Sequence, residues 1–258
     1  MSTLNSMCTL ALYFKVFERY PVVVAANRDE YLARPSLPPR VLACKPEIVG
    51  GLDVVAGGTW LGLNAHGVIC GLLNRRSESG LDPHARSRGL LCLDALHYAT
   101  PAQAARHVSA EPALAYNPFN LLIVSRDAAL VCYRRGTRIE VIQLEPGLHM
   151  LTNLDVDDFE CPKISRAYRR FAALHDFSGD PRDLARLLAD HEAFDPFLPR
   201  SGALCVHLDN YGTRSSSIIL LGPKPEDARH FFADGPPCTT AFAPALTPAW
   251  SAANSAAP

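Results

Sequence analysis

The chain has 258 residues, 48% of them apolar and 20% charged, with a formal net charge of −1. That balance suits one large domain with a sizeable core, and without a basic excess there is no electrostatic case for nucleic-acid binding. No apolar run approaches the roughly 20 residues of a membrane span, and the start of the chain lacks the charged and apolar regions of a secretory signal. Eight cysteines are scattered without a CxxC pair, so neither a disulfide scaffold nor a zinc ribbon is expected, and a reducing cytoplasm is the simplest location.

Thr9 to Phe17 reads as a strand, Glu18 to Pro21 as a turn and Val22 to Ala26 as the returning strand. This hairpin brings Cys8, before its first strand, and Asn27, after its second, to one end of a sheet. Residues 31–50, broken by Pro35, Pro38, Pro39 and Pro46, read as irregular. Gly57 to Gly62 looks like a turn entering a strand. Val68 to Leu73 is a strand ending at Asn74, and 75–85 is a polar loop. Leu90, Leu91, Leu93, Leu96 and Tyr98 give residues 86–99 a helical period, and Thr100-Pro101 opens a second helix over 101–109. Strands are expected at 119–125, 129–134 and 138–143, helices at about 162–176 and 181–192, and strands near 203–208, 216–221 and 227–232. Residues 234–258, rich in Ala, Pro and Ser, read as a loosely ordered tail. Short links between strands favour antiparallel pairing, and paired helices favour the outer faces of stacked sheets. The expected fold is therefore an α+β layered sandwich, a single domain over 8–233 preceded by an extra segment or propeptide at 1–7.

Candidate chemistry sits at the ends of these elements. Were Cys8 the first residue, it would combine a nucleophilic thiol with an α-amine able to take its proton; otherwise it is an ordinary strand cysteine. Asn27-Arg28-Asp29-Glu30 follows a buried strand. If the extended geometry persists, Asn27 and Asp29 face one way and Arg28 and Glu30 the other. Asn74, Asn153 and Arg214 end other elements, where an asparagine amide can donate to an oxyanion and an arginine can bind a carboxylate; each also reads as a turn residue. Cys205 and His207 alternate onto one strand face as a dyad or half a metal site, but no complete metal-ligand set is visible. Cys161-Pro162 offers a thiolate at a helix start, the type of group that ligates haem.

Met7-Cys8, Ala25-Ala26-Asn27-Arg28-Asp29-Glu30, Arg34-Pro35, Gly57-Gly58-Thr59-Trp60-Leu61-Gly62, Leu73-Asn74, Asn117-Pro118-Phe119-Asn120-Leu121, Leu151-Thr152-Asn153 and Tyr211-Gly212-Thr213-Arg214 occur in that order. Over roughly residues 7–233 the chain resembles the family named for its Asn-Arg-Asp-Glu (NRDE) motif, whose eukaryotic members are called transport and Golgi organization protein 2. The resemblance implies a four-layer αββα sandwich like the N-terminal-nucleophile (Ntn) hydrolases, a superfamily that includes bile-salt hydrolases and penicillin V acylases. By that similarity Cys8 would be nucleophile and base, and Asp29 would hold its amine. Asn74 and Asn153 would form or support the oxyanion hole, Arg214 would line the site, and Asn27, Arg28 and Trp60 would meet substrate. The hydrolases' arginine near the aspartate has no secure counterpart, because strand alternation turns Arg28 away from Asp29. Two functions follow as expectations: a cysteine amidohydrolase or acyltransferase on C–N or thioester acyl bonds that needs no cofactor, or a non-catalytic carrier of haem or a lipid-like ligand. The expected partner is a small molecule.

Overall fold

The computed structural model describes residues 8–77, 80–192 and 202–249. In chain order come β1 (Thr9–Phe14), β2 (Val22–Tyr31), β3 (Ser36–Cys44), β4 (Glu47–Asp53), β5 (Leu61–Asn64) and β6 (Ile69–Asn74), then α1 (Arg88–Ala95) and α2 (Pro101–Ala110). There follow β7 (Phe119–Val124), β8 (Ala129–Arg135), β9 (Arg138–Leu144) and β10 (Gly147–Leu151), α3 (Pro162–Ala172) and α4 (Pro181–Leu188), and finally β11 (Tyr211–Leu221), β12 (Arg229–Ala233) and β13 (Ala243–Pro244). The strands form a six-stranded sheet in the order β10-β1-β2-β11-β12-β13 and a seven-stranded sheet running β3 to β9 in sequence order. Neighbours in both sheets are antiparallel.

Side-chain alternation along each strand builds the layers. In β2, Val22 and Val24 pack between the sheets with Leu10, Leu12, Leu61, Leu63 and Leu122. The intervening Val23 and Ala25 face the other way, onto Ile164, Phe171, Leu184 and Leu188 of α3 and α4. On the far side of the second sheet, Cys70, Leu121 and Ile123 pack on Leu91, Leu96, Ala104 and Val108 of α1 and α2. The result is the αββα order, with three apolar interfaces in which each fully buried Leu or Val contributes about 1.5–3 kcal/mol. Proline occupies the first turn of α2, α3 and α4, where no backbone N–H is needed. Thr100 and Asp180 cap α2 and α4 by accepting from the Gln103 and Arg182 main-chain N–H groups at 3.3 and 2.9 Å.

Several expectations change. β2 continues to Tyr31 and pairs with β11 from Leu221↔Val22 to Tyr211↔Tyr31, so the NRDE motif lies within a strand and not in a loop after one. Residues 31–50, expected to be irregular, contain β3 and most of β4. Pro38 and Pro39 are tolerated because β3 is an edge strand, and its register shifts near them, between Leu37 and Arg40. β10 was not anticipated. The strand expected near 203–208 is a loop in which His207 alone bridges to Gly212. Of the expected tail, 234–249 is described: Ala243–Pro244 pair with β12, His230 Nδ1 lies 3.2 Å from the Leu246 carbonyl, and the Ala249 N–H donates to Glu47 of β4 at 2.9 Å. Residues 1–7 and 250–258 lie outside the described residues. No helix among the described residues is long and apolar enough to cross a membrane.

Candidate active site

β1 pairs with β2 with Thr9 opposite Asn27, so one further step sets Cys8 opposite Arg28. Paired residues project to the same face, which places the Cys8 side chain with Leu10 and Leu12 in the space between the sheets. There the thiol donates to the Asp29 carbonyl and accepts from the Asp29 main-chain N–H, both at 3.3 Å. Burial, then the charge of Asp29, pushes the thiol up to about 12, against the opposing pull of the Asp29 backbone hydrogen bond and of Arg28. At neutral pH this thiol is protonated and quiet.

Arg28 is 7% exposed and lies over the Trp60 ring, 4.4 Å from its centroid, a desolvated cation–π contact. Its Nη2 is 3.8 Å from Glu30 and 3.9 Å from Asp53, ion pairs longer than hydrogen bonds, and its Nη1 is buried without a hydrogen-bond partner. Burial lowers the Arg28 pKa while Glu30, Cys8 and Asp53 oppose that shift. The alternation of the motif holds, but Cys8 shares the face of Arg28 and not that of Asp29. The arginine expected to point elsewhere is therefore the one beside the thiol.

On the opposite face, the Asp29 carboxylate accepts from the Thr213 hydroxyl at 2.7 Å, and its Oδ2 is buried without a hydrogen bond. Burial raises its pKa to about 6, opposed by Lys163 and by the Thr213 hydrogen bond. Lys163 on α3 is 3% exposed, and burial lowers its pKa against the charges of Asp29, Cys8 and Cys161. The Asn27 amide donates to the carbonyls of Leu188 and Leu204, both at 2.9 Å, and accepts from the Ser216 hydroxyl at 2.7 Å. The Asn27 amide, in a residue expected to meet substrate, makes these bonds within the fold behind β2.

A cavity of about 510 Å³ opens beside Cys8, lined by Arg28, Glu30, Asp53, Trp60, Asn74, Arg86, Arg88 and Asn117 among others. Of the sequence candidates, Cys8, Asn27, Arg28, Asp29, Trp60 and Asn74 line it, although the polar side-chain atoms of Asn27 and Asp29 bond on the other face of β2. Asn153 does not line it, but its carbonyl accepts from the Arg76 main-chain N–H at 3.1 Å, so the segments after β6 and β10 touch. Asn153 Oδ1 is buried without a partner. Arg214 is also off the cavity: it sits at the β-bulge between Thr213 and Ser215 and pairs with Asp234 at 3.0 Å. The bulge turns it outward while Ser215, the next residue, lines the cavity. Neither Cys161 nor His207 lines the cavity, and among its described lining residues Cys8 is the one thiol and histidine is absent. Cys161, the thiolate considered for haem, therefore lies outside this space.

Two site residues were not anticipated. Arg88 begins α1, donates to the Pro118 carbonyl at 2.9 Å, and lies within electrostatic range of Glu30 and Cys8. Lys163 occupies the buried side of α3 with Ile164, Ala167 and Phe171. A lysine within an otherwise apolar helical stripe is the sequence signal that marks it.

The fold has counterparts among solved structures. An N-acylethanolamine-hydrolyzing acid amidase ortholog from Caenorhabditis elegans superimposes with a TM-score of 0.55 at 12% identity, covering 83% of this chain and 92% of that one. Penicillin V acylase from Agrobacterium tumefaciens gives 0.50 at 14% identity, with 93% and 84% covered. At such identities the likeness concerns the fold, which is that of the Ntn hydrolases. In sequence, the Transport and Golgi organization protein 2 homolog of Bos taurus is 29% identical over 236 residues, with 78% of this chain and 82% of that protein covered. The Homo sapiens homolog is 30% identical over 242 residues, with the same coverage. Residues 7–230 match the family described as Transport and Golgi organisation 2, and the chain belongs to that family.

Proposed function

We propose that the chain is a cysteine-nucleophile amidohydrolase or acyltransferase acting on C–N or thioester acyl bonds. The observation that carries this reading is the Cys8 thiol, held by both main-chain groups of Asp29 beside Arg28 at a cavity of about 510 Å³. The fold it shares with an acid amidase and a penicillin acylase supports the same class of bond.

In the proposed reaction, residues 1–7 are removed and Cys8 gains a free α-amine, held by Asp29. The amine takes the thiol proton as sulfur attacks the substrate carbonyl. The carbonyl π electrons move to oxygen, where Asn74 donates a hydrogen bond, with Asn153 supporting from the adjoining turn. Collapse of the adduct breaks the C–N or C–S bond, and the leaving amine or thiol carries away the proton held by the α-ammonium. Water, or an acceptor amine, then attacks the thioester and restores Cys8. Arg28 Nη1, unpaired and beside the thiol, is available to an oxygen of the substrate, and Trp60 offers an apolar face.

The quiet thiol gives this reading a direct test. A chain beginning at Cys8 should hydrolyse N-acyl amides or acyl thioesters and show an acyl mass on Cys8, whereas a chain retaining residues 1–7 should not. Cys8→Ser should lose turnover with folding intact. Full activity in that variant, or an unacylated and inert Cys8-first chain across both substrate classes, rejects the mechanism.

A further inference from the structure

Away from the cavity, four soft ligands converge from three segments: His191 after α4, Cys205 and His207 in the loop before β11, and Cys238 after β12. Their ligating atoms all lie within 4.8 Å of one another. The two sulfurs are 3.7 Å apart, and His207 Nε2 is 3.5 Å from Cys205 Sγ and 3.3 Å from Cys238 Sγ. The His191 and His207 rings are 5.0 Å apart at their centroids. Zinc bonds of about 2.3 Å to sulfur and about 2.0–2.1 Å to nitrogen, set tetrahedrally, require roughly 3.8 Å between sulfurs and roughly 3.5 Å between sulfur and nitrogen. The spacing among Cys205, His207 and Cys238 matches those edges, and His191 supplies the fourth vertex with a small closing movement.

We propose that His191, Cys205, His207 and Cys238 form a structural site for a tetrahedral zinc(II)-type cation. Two thiolates and two imidazoles are the donor set that selects zinc over harder divalent ions. Four protein ligands leave no position for a substrate, so the role is cross-linking and not catalysis. The backbone around the ligands is anchored: the Cys205 N–H donates to the Asp190 carbonyl at 2.9 Å, and Asp190 is paired to Arg170 at 3.2 Å. Three of the four ligands are exposed, which leaves the ion exchangeable with a chelator. The ion would clamp the segment after β12 to the loop that supports the back of the active site. In that loop the Leu204 carbonyl holds Asn27, and the Val206 N–H donates to Thr213 Oγ1, the hydroxyl that donates to Asp29. Cys205 and His207 are legible in the sequence as half a metal site, but His191 and Cys238 are not, since the segments that bring them to the loop lie far apart along the chain.

The test uses the full chain, stripped with a chelator under reducing conditions and titrated with zinc(II) and, separately, cobalt(II). One zinc per chain should bind and raise the melting temperature, and cobalt should give the intense visible bands of a tetrahedral site with a thiolate charge-transfer band. Cys238→Ala should weaken zinc binding by more than about 100-fold, beyond the loss typical of an outer-sphere partner. Because that variant could misfold, exposed His191→Gln serves as a second probe: its apo form should match the parent by circular dichroism while binding zinc at least about 10-fold more weakly. Zinc uptake unchanged in both variants, an octahedral cobalt spectrum without a thiolate band, or a Cys205–Cys238 disulfide that forms in preference to metal under those conditions would overturn the assignment.

Discussion

Asp29 carries its carboxylate into a fully buried site where Thr213 and Lys163 are its polar company. Its folded-state pKa of about 6 exceeds the ordinary 3.8, so the folded chain keeps a proton that the unfolded chain has already released. Stability from this group is therefore fully present below pH 3.8 and is lost as pH rises through about 6. A gap of about 2 pH units corresponds to about 3 kcal/mol. Asp29→Asn keeps an oxygen to accept from Thr213 and removes the titration. Urea unfolding at pH 4 and pH 6.5 should show the variant gaining on the parent by roughly that amount as pH rises; parallel profiles would refute the argument. Cys8 makes a second prediction at this scale. With its thiol pushed up to about 12, it should alkylate with iodoacetamide at pH 7 far more slowly than exposed Cys44, as read by peptide mass. Equal rates would show the thiol to be more open or more acidic than its surroundings dictate.

At the scale of elements, three buried asparagines close the seams between layers. Asn27 donates to Leu188 at the end of α4 and to Leu204. Asn64 donates to Leu96 and Tyr98 beyond α1 at 2.7 and 2.8 Å. Asn120 donates to Thr152 and Leu154 at 2.7 and 2.6 Å. Each satisfies carbonyls that a helix end or turn leaves without intrahelical partners. Asn64 also accepts from the His66 and Val68 N–H groups, so Asn64→Ala should cost about 2–4 kcal/mol in urea unfolding, several buried groups losing partners at once. Asn64→Asp should cost at least as much, because a carboxylate oxygen then faces two carbonyls. These roles explain where sequence reading stopped. Alternation separated Asn27 and Asp29 from Arg28 and Glu30 correctly, since it depends only on strand geometry. It could not say which face Cys8 shares, because that depends on the register between β1 and β2. Pro38 and Pro39 suggested broken structure because nothing local distinguishes an edge strand from a loop. The helices were legible from apolar period, but Lys163 and Arg88 join the site through packing between elements distant in sequence. Arg214 was misplaced by a bulge that one sequence does not announce.

For the molecule as a whole, the cavity exists because two sheets meet at a fixed separation and contribute opposite walls. Arg28 belongs to the six-stranded sheet and Cys8 immediately precedes its strand β1, while Trp60 comes from the turn before β5, Asn74 from β6 and Arg88 from the first turn of α1 on the other side. Gly58 helps set the second wall. At φ +75° a side chain there would be strained, and its Cβ would stand 2.1 Å from the Gly89 carbonyl carbon at the start of α1. Gly71 leaves room for Leu10, since a Cβ on β6 would lie 2.7 Å from Leu10 Cδ1 on β1, and Leu10 lines the cavity two residues from Cys8. Gly71→Val should therefore displace the Leu10 side chain, lowering stability by about 1–3 kcal/mol through overpacking and speeding alkylation of Cys8. Leu10→Ala alone should cost about 2–5 kcal/mol by leaving a void. Combined, the two changes offset each other in volume, so the double variant should be more stable than the sum of the single losses by about 0.5–3 kcal/mol, with Cys8 alkylation returning toward the parent rate. Simple additivity, with alkylation unchanged throughout, would mean that the contact between Gly71 and Leu10 does not shape the cavity beside Cys8.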